Sequence, residues 1–265
     1  MCYPAFLPFL KEIFEMSERC NISPRFSMKF FGRCNISRTF WVYDTSIKKS
    51  RKESNMLKLE NYGLKIKDKV LFQNVNVLFS EHTISHILGN NGCGKSSFGK
   101  SCAGMLSYTG SIVGNEKIIL IGSGSNIPSE FSIGDISDLL KKRFDNSRVD
   151  TLYNLLKLDT LSQNLPIRKM SDGQKQKVKL YAFLSSDIEV VILDEFTNAL
   201  DKNSSLDLYH FINEYSQKFN GTIINITHNL SDLEYMPGDY YYVSQQDMIK
   251  ISSKQEAIDR YVKGE

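Results

Sequence analysis

The sequence predicts an α/β fold with a largely parallel core sheet, and three observations carry that prediction. Val190–Leu193 (VVIL) and Thr222–Ile226 (TIINI) are short apolar runs, the pattern of strands buried on both faces. Leucines at positions 152, 155, 156 and 158 fall at helical spacing. Strand-like and helix-like segments alternate along the chain, which favours crossover connections and parallel neighbours.

The elements follow in order from Met56. Leu57, Leu59, Leu64 and Ile66 alternate with polar residues, as half-buried strands do, and Val75–Phe79 reads as a further strand. Ile84–Leu88 (ISHIL) is a short β-type run ending in a glycine-rich turn, and Lys95–Leu106 after it reads as a helix. A helix is expected over Leu152–Leu161, ahead of the two apolar strands, and a later one is capped at Asn229 or Ser231.

Composition narrows the function classes. The 265 residues suggest one large domain or two small ones, long enough to bury a core without staples. A net charge of +3 gives no reason to expect a nucleic-acid partner, because phosphate contacts favour a basic surplus. Hydrophobic residues at 41% and charged residues at 24% exclude wholesale disorder. Five cysteines, an odd number with no zinc-like spacing, argue against a secreted disulfide scaffold. No apolar run approaches bilayer length, so a membrane role requires a partner that spans.

Residues 1–55 differ from the rest. They hold ten Lys or Arg against five Asp or Glu, leaving 23 against 25 for the other 210 residues. They also carry the only Trp, Trp41, and two copies of Arg-Cys-Asn-Ile-Ser, at Arg19–Ser23 and Arg33–Ser37, which are too short to be a repeat architecture. Met1–Phe14 lacks a basic leader region and a small-residue cleavage site, so it does not read as a signal peptide. The polar run Lys48–Asn55 reads as a linker, and Met56 as the natural start of one domain over 56–265, with 1–55 a poorly ordered extension. The rival reading makes 1–55 an amphipathic arm that touches a membrane or a partner.

Gly89-Asn90-Asn91-Gly92-Cys93-Gly94-Lys95-Ser96 fits G-x-x-x-x-G-K-[ST] at every fixed position. Glycines let the backbone curl so that N–H groups point inward at phosphate oxygens, and the following helix aims its positive end at the same place. Lys95 adds a point charge for the β- and γ-phosphates, and the Ser96 hydroxyl is a ligand for Mg²⁺; Ser97 completes the candidate loop. A random chain of this length matches roughly one time in a hundred, and the strand before and helix after lower that further. Cys93 reads as a small filler rather than a redox sensor.

Val190–Leu193 runs into Asp194 and Glu195. At a strand tip, Asp194 can hold Mg²⁺ across from Ser96, and Glu195 can orient the attacking water, the positioning logic of phosphoryl transfer. Alone, the pattern equally describes a strand that ends in polar turn residues.

Three further motifs complete a resemblance. Met170-Ser-Asp-Gly-Gln174, followed by Lys175-Gln-Lys-Val178, is similar to the LSGGQ signature of the ATP-binding cassette (ABC) family of ATPases. Asn198-Ala-Leu-Asp201 resembles that family's D-loop, and Thr227-His228 its switch histidine. The order matches, with 23 positions from Ser171 to Asp194 and 34 from Asp194 to His228. From Met56 onward the chain most resembles the ATP-binding subunit of a bacterial ABC transporter. The resemblance implies a P-loop NTPase core of mainly parallel sheet flanked by helices, an antiparallel β-subdomain and an α-helical subdomain. It implies ATP and Mg²⁺ as cofactors, with Gly89–Ser97, Ser171, Gly173, Gln174 and Asp201 at nucleotide, Ser96 and Asp194 at the metal, and Glu195 and His228 in hydrolysis. It implies a second cassette, in a homodimer or heterodimer, whose signature caps the γ-phosphate of the first, and a separately encoded transmembrane permease at the cytoplasmic face of the membrane.

The chain departs from the family pattern in places. Asp172 stands where the first signature glycine belongs, and no Gln follows Lys117–Ile121, where Ser123 is the nearest counterpart. Counting back to the aromatic that stacks on adenine reaches Ile66, with Tyr62 displaced. Only 76 positions separate Lys95 from Ser171, which implies a reduced helical subdomain. Competing functions are a non-transport ABC ATPase of a soluble assembly machine such as iron–sulfur cluster building, a ribosome-associated relative, and a small-molecule kinase. The single cassette speaks against the second of these, and the signature against the third.

Overall fold

Strands β3 (Ile84–Gly89), β6 (Val190–Asp194) and β7 (Thr222–Ile226) occupy the middle of a six-stranded sheet. β5 (Ile118–Ile121) flanks them on one side, and β8 (Gly238–Ser244) and β9 (Asp247–Ile251) on the other. The order is β5-β6-β7-β3-β8-β9, parallel throughout except for the β8–β9 hairpin. β3 and β7 are buried along their whole length, which explains why neither shows in–out alternation. The hairpin turns at Gln245 and Gln246, both with positive φ (48° and 68°), as a two-residue type I′ turn requires. The computed structural model describes residues 56–198 and 200–264; the 1–55 extension, its boundary at Met56 and the Lys48–Asn55 run lie outside the described residues.

The antiparallel subdomain expected from the resemblance is present. β1 (Leu57–Ile66) pairs with β2 (Lys69–Phe79) on one side and β4 (Thr109–Val113) on the other. β2 begins earlier than its apolar half suggests, because Lys69 and Gln73 lie on the exposed side of the strand. Helix α1 (Lys95–Cys102) is pinned by this sheet and by the parallel one. Its Phe98 is fully buried, 5.9 Å from the Tyr62 ring, 6.2 Å from Phe72 and 6.0 Å from Phe79. Its Gly99 faces the parallel sheet so closely that an added Cβ would lie 3.2 Å from both Leu120 and Ile226. The helix ends four residues short of Leu106, at a turn through Gly104 with φ 72°.

Between β5 and α4 (Asp172–Leu184) lie only α2 (Ile133–Arg143), α3 (Asn146–Leu155) and two 3₁₀ turns. α2 opens on a reciprocal Ser132–Asp135 capping box. The helix expected over Leu152–Leu161 is corrected here. α3 starts earlier, where Asp145 accepts from the Arg148 N–H, and the chain breaks at Lys157 in the left-handed region (φ 53°). Leu152, Leu156 and Leu158 are all buried, so their spacing reflects a shared core and not one continuous helix. The remaining helices are α5 (Lys202–Lys218), α6 (Leu230–Tyr235) and α7 (Lys254–Lys263). Among the described residues no helix is long and apolar enough to cross a membrane.

Candidate functional site

In a parallel sheet the loops after the strands gather at the carboxyl edge. β3, β7 and β6 are neighbours, so the segments that follow them, Gly89–Ser96, Thr227–His228 and Asp194–Glu195, emerge side by side. The strand order therefore assembles residues separated by well over a hundred positions in the chain.

The first segment is shaped by glycines that have no substitute. Gly89 has φ 148°, and an added Cβ would lie 2.5 Å from the Val243 carbonyl oxygen. Gly94, the N-cap of α1, has φ 114°, and an added Cβ would lie 3.0 Å from the Phe72 ring and 3.1 Å from Leu71 Cβ. No side chain caps the helix there, so its first N–H groups remain available to an anion. Lys95 is buried, and its Nζ donates to the carbonyls of Gly89 at 2.6 Å and Asn90 at 3.1 Å. Asn90 is also tied to the chain's end, donating from Nδ2 to the Gly264 carbonyl at 3.1 Å. Lys69, from the start of β2, donates to the Gly92 carbonyl at 3.0 Å. Asn91 is exposed, while Cys93, Ser96 and Ser97 are partly buried.

Ser96 Oγ donates to Asp194 Oδ1 at 3.0 Å. Burial raises the Asp194 carboxyl above its ordinary value, the Ser96 hydrogen bond lowers it, and the Glu195 charge raises it again. Mg²⁺ takes hard oxygen donors and keeps several of its waters. A hydroxyl and a carboxylate at this distance fit that demand, and no group of three or more His, Cys, Asp or Glu competes among the described residues.

Glu195 itself adopts the left-handed region (φ 53°), an uncommon conformation for a side chain of this size. The turn lets its N–H bond across to the Ile226 carbonyl at 2.9 Å. Its side chain then lies between two partners: Oε1 is 3.1 Å from His228 Nδ1, and Oε2 accepts from Asn198 Nδ2 at 2.8 Å.

Ser171, Gly173, Gln174 and Asp201 form a second group. Ser171 and Gln174 make a capping box at the start of α4, with Gln174 N–H on Ser171 Oγ at 3.3 Å and Ser171 N–H on Gln174 Oε1 at 3.0 Å. Asp172 pairs with Lys175 at 3.0 Å on the exposed surface. Gly173 packs against Ser204, where an added Cβ would lie 2.3 Å from Oγ. That hydroxyl donates to Asp201 Oδ2 at 2.6 Å, while Asp201 Oδ1 caps α5. The Ser204 hydrogen bonds hold the Asp201 carboxyl below its ordinary value. Gln176 joins the two groups by donating to the Phe196 carbonyl at 3.0 Å.

The departures from the family pattern have structural outcomes. Tyr62 is fully buried and shares a 2.7 Å hydrogen bond with Ser101, so its ring belongs to the core. After β5, Ser125 is used within its own turn, accepting from the Gly122 N–H and donating to the Leu120 carbonyl, while Ser123 is exposed. Gly122 lies against Asp194, and its carbonyl accepts from Lys179 Nζ of α4 at 3.3 Å. Burial lowers the pKa of that lysine.

Sequence reasoning missed a buried polar cluster beneath this edge. Asp232, Asn225, Thr197 and His86 are all buried and hydrogen-bonded to one another or to close neighbours. A polar residue inside each of two apolar strand runs, His86 in ISHIL and Asn225 in TIINI, was the available signal.

Comparison with known proteins agrees with the geometry. A family model described as ABC transporter matches residues 72–198. The "probable peptide export ATP-binding protein YydI" of Bacillus subtilis (strain 168) is 39% identical over 210 residues, 78% of this chain and 99% of that protein. The zinc import ATP-binding protein ZnuC of Wolbachia pipientis wMel is 28% identical over 217 residues, 77% of this chain and 85% of that protein. The solved structure of cbiO1 from Clostridium perfringens, part of the ABC transporter complex cbiONQ, superposes with a TM-score of 0.68 at 22% identity. It covers 79% of this chain and 93% of its own.

Proposed function

The chain belongs to the ATP-binding cassette family of ABC transporters, and from that premise we propose that it is the ATP-binding and ATP-hydrolysing subunit that pairs with a second cassette and drives a separately encoded membrane permease. One observation carries the reading. The Lys95–Ser96 loop, Asp194–Glu195 and His228 meet at the ends of three adjacent strands, with Glu195 and His228 3.1 Å apart.

Lys95 leaves the carbonyls of Gly89 and Asn90 to meet the β- and γ-phosphates, and the uncapped N–H groups of α1 receive the same oxygens. Ser96 and Asp194 would hold Mg²⁺, which would supply neutralisation of the phosphate charge and polarisation of the terminal phosphoryl group. Glu195 accepts a hydrogen bond from the attacking water, and His228 fixes the carboxylate and faces the γ-phosphate. Ser171, Gly173 and Gln174 serve the partner's nucleotide, with Asp201 behind them. ATP then favours the closed pair over the open one, and hydrolysis releases it. The subunit sits peripherally on the cytoplasmic face of the membrane. Export of a peptide is the cargo and direction supported by the name of the 39%-identical relative.

The test is Glu195→Gln with Mg–ATP. Turnover should fall at least about 100-fold, while sedimentation shows an ATP-dependent dimer and a polytopic protein co-purifies from native membranes. Lone protomers under these conditions overturn the pairing. A soluble sulfur carrier or scaffold in place of the polytopic partner favours an assembly ATPase instead.

A further inference from the structure

We propose that Asp232 is a positioning residue for hydrolysis: its buried carboxylate ties the turn after Glu195 to the segment that carries His228. The proposal rests on the reading of Glu195 and His228 given above.

The connections run through named atoms. Asp232 Oδ1 accepts from Thr197 Oγ1 at 2.9 Å and from Tyr209 OH at 2.8 Å. Its Oδ2 accepts from Asn225 Nδ2 at 3.0 Å. Thr197 follows Glu195 by two residues, Asn225 precedes His228 by three, and Asp232 follows His228 by four. One carboxylate therefore fixes the histidine segment on both sides and the glutamate turn on one. Two short links stiffen the stretch between: the Asn229 N–H bonds to Thr227 Oγ1 at 2.9 Å, and the Asp232 N–H to the Asn229 carbonyl at 3.1 Å.

Hydrogen-bond polarity makes the cluster single-valued. The Met236 carbonyl can only accept, so His86 Nε2, 2.7 Å away, carries a proton. His86 Nδ1 is then an acceptor, 3.2 Å from Asn225 Nδ2. Both hydrogens of the Asn225 amide are thereby used, one on His86 and one on Asp232. Burial holds His86 neutral by lowering its pKa to about 4. Burial, and next the Asp232 charge, push the Tyr209 phenol well above its ordinary value, which keeps it a donor. A buried carboxylate costs more than an apolar side chain of its size unless donors surround it. Here the three donors come from three different elements: the Thr197 turn, α5 and β7. In the low dielectric beneath the site, that arrangement resists relative movement of the two reacting segments.

The test uses the full chain and Thr197→Val, which removes the hydroxyl and keeps the shape. We expect kcat for ATP to fall roughly 10- to 100-fold, with KM changed by no more than about twofold. Thr197→Ser should recover most of the loss. In a Glu195→Gln background, Thr197→Val should add no more than about a twofold further loss, because both changes act on one step. Hydrogen exchange of residues 227–233 should speed up in Thr197→Val while that of β3 stays unchanged, a readout that needs no turnover. Tyr209→Phe, which removes the second donor, should shift both measurements the same way and stands in if the valine variant fails to fold. Wild-type kcat, unchanged exchange at 227–233, or a full multiplicative loss on top of Glu195→Gln overturns the proposal. Wild-type turnover in Glu195→Gln alone would instead overturn the underlying assignment of Glu195.

Discussion

His228 Nδ1 lies 3.1 Å from Glu195 Oε1, although 33 positions separate the residues in the chain. The contact exists because β6 and β7 are parallel neighbours and because Glu195 turns into the left-handed region at the end of its strand. Neither side chain is buried, so the pair contributes little to stability, and in the proposed mechanism its worth lies in orientation. His228→Ala should therefore lower kcat by an order of magnitude or more, roughly 10- to 1000-fold, and leave the thermal midpoint within about 2 °C of wild type. Steady-state kinetics with a melting curve checks both halves. A KM effect with kcat intact would assign His228 to binding alone.

Lys95 makes its hydrogen bonds to the loop's own carbonyls, at 2.6 and 3.1 Å. In the proposed function its ammonium trades these neutral acceptors for phosphate oxygens when nucleotide binds, and charge-assisted bonds are the stronger kind. Lys95→Ala should weaken ATP affinity by about 1.5–3 kcal/mol, the worth of a hydrogen bond to a charged group. Calorimetric titration measures it directly. AMP, which lacks the β- and γ-phosphates, should lose much less.

Much of this arrangement was legible beforehand, for specific reasons. The loop Gly89–Ser96 is contiguous and its residue types are forced by backbone geometry, so the motif survives as a string. VVIL and TIINI announce central strands because burial on both faces removes polar alternation. The Thr197–Asp232–Asn225 cluster was harder to read, because its members come from separate elements and only Asn225, polar inside an apolar strand run, stands out alone. The leucines from 152 to 158 misled for the opposite reason: they share one core across a helix end that Lys157 enforces with its backbone, not its side chain.

Gly173 and Ser204 are packed so that an added Cβ would meet the serine hydroxyl at 2.3 Å and its Cβ at 2.6 Å. The turn at Ser171 and the cap at Asp201 are thus one surface, and a methyl group at 173 must push them apart. Gly173→Ala should destabilise by about 1–3 kcal/mol, as overpacking does, and impair ATP-dependent pairing. Ser204→Gly in the same chain should restore part of the stability, because both colliding atoms are gone. A double-mutant cycle with no coupling energy would place the damage elsewhere.

At Asp194 the proposed role of holding Mg²⁺ runs against stability. Burial raises its carboxyl above the ordinary value, so at neutral pH the folded state carries a charge it would rather release. The folded state binds this proton more readily than the unfolded one, so this group's contribution to stability falls as pH rises through the window above the ordinary aspartate value. Asp194→Asn removes that penalty and should raise the thermal midpoint at pH 7 by roughly 1–4 °C while abolishing Mg-dependent hydrolysis. The gain should shrink as the pH falls towards the ordinary aspartate range, because the raised Asp194 carboxyl takes up its proton in the fold and the penalty disappears.

His86 supplies the opposite sign. Its imidazole is neutral in the fold, with a pKa lowered to about 4, whereas the unfolded chain takes up the proton near the ordinary value of 6.5. Between these two values the unfolded state binds more protons, so stability rises with pH and is lost progressively on acidification from about 6.5 towards 4. His86→Gln keeps a polar side chain that can donate to Met236 but has no group that titrates in this range. It should lower stability at pH 7, because the hydrogen bond of the ring to Asn225 is lost. It should also flatten the decline between pH 6.5 and pH 4. Chemical denaturation at a series of pH values separates the two effects. An acid limb as steep in the variant as in wild type would assign the loss to other groups.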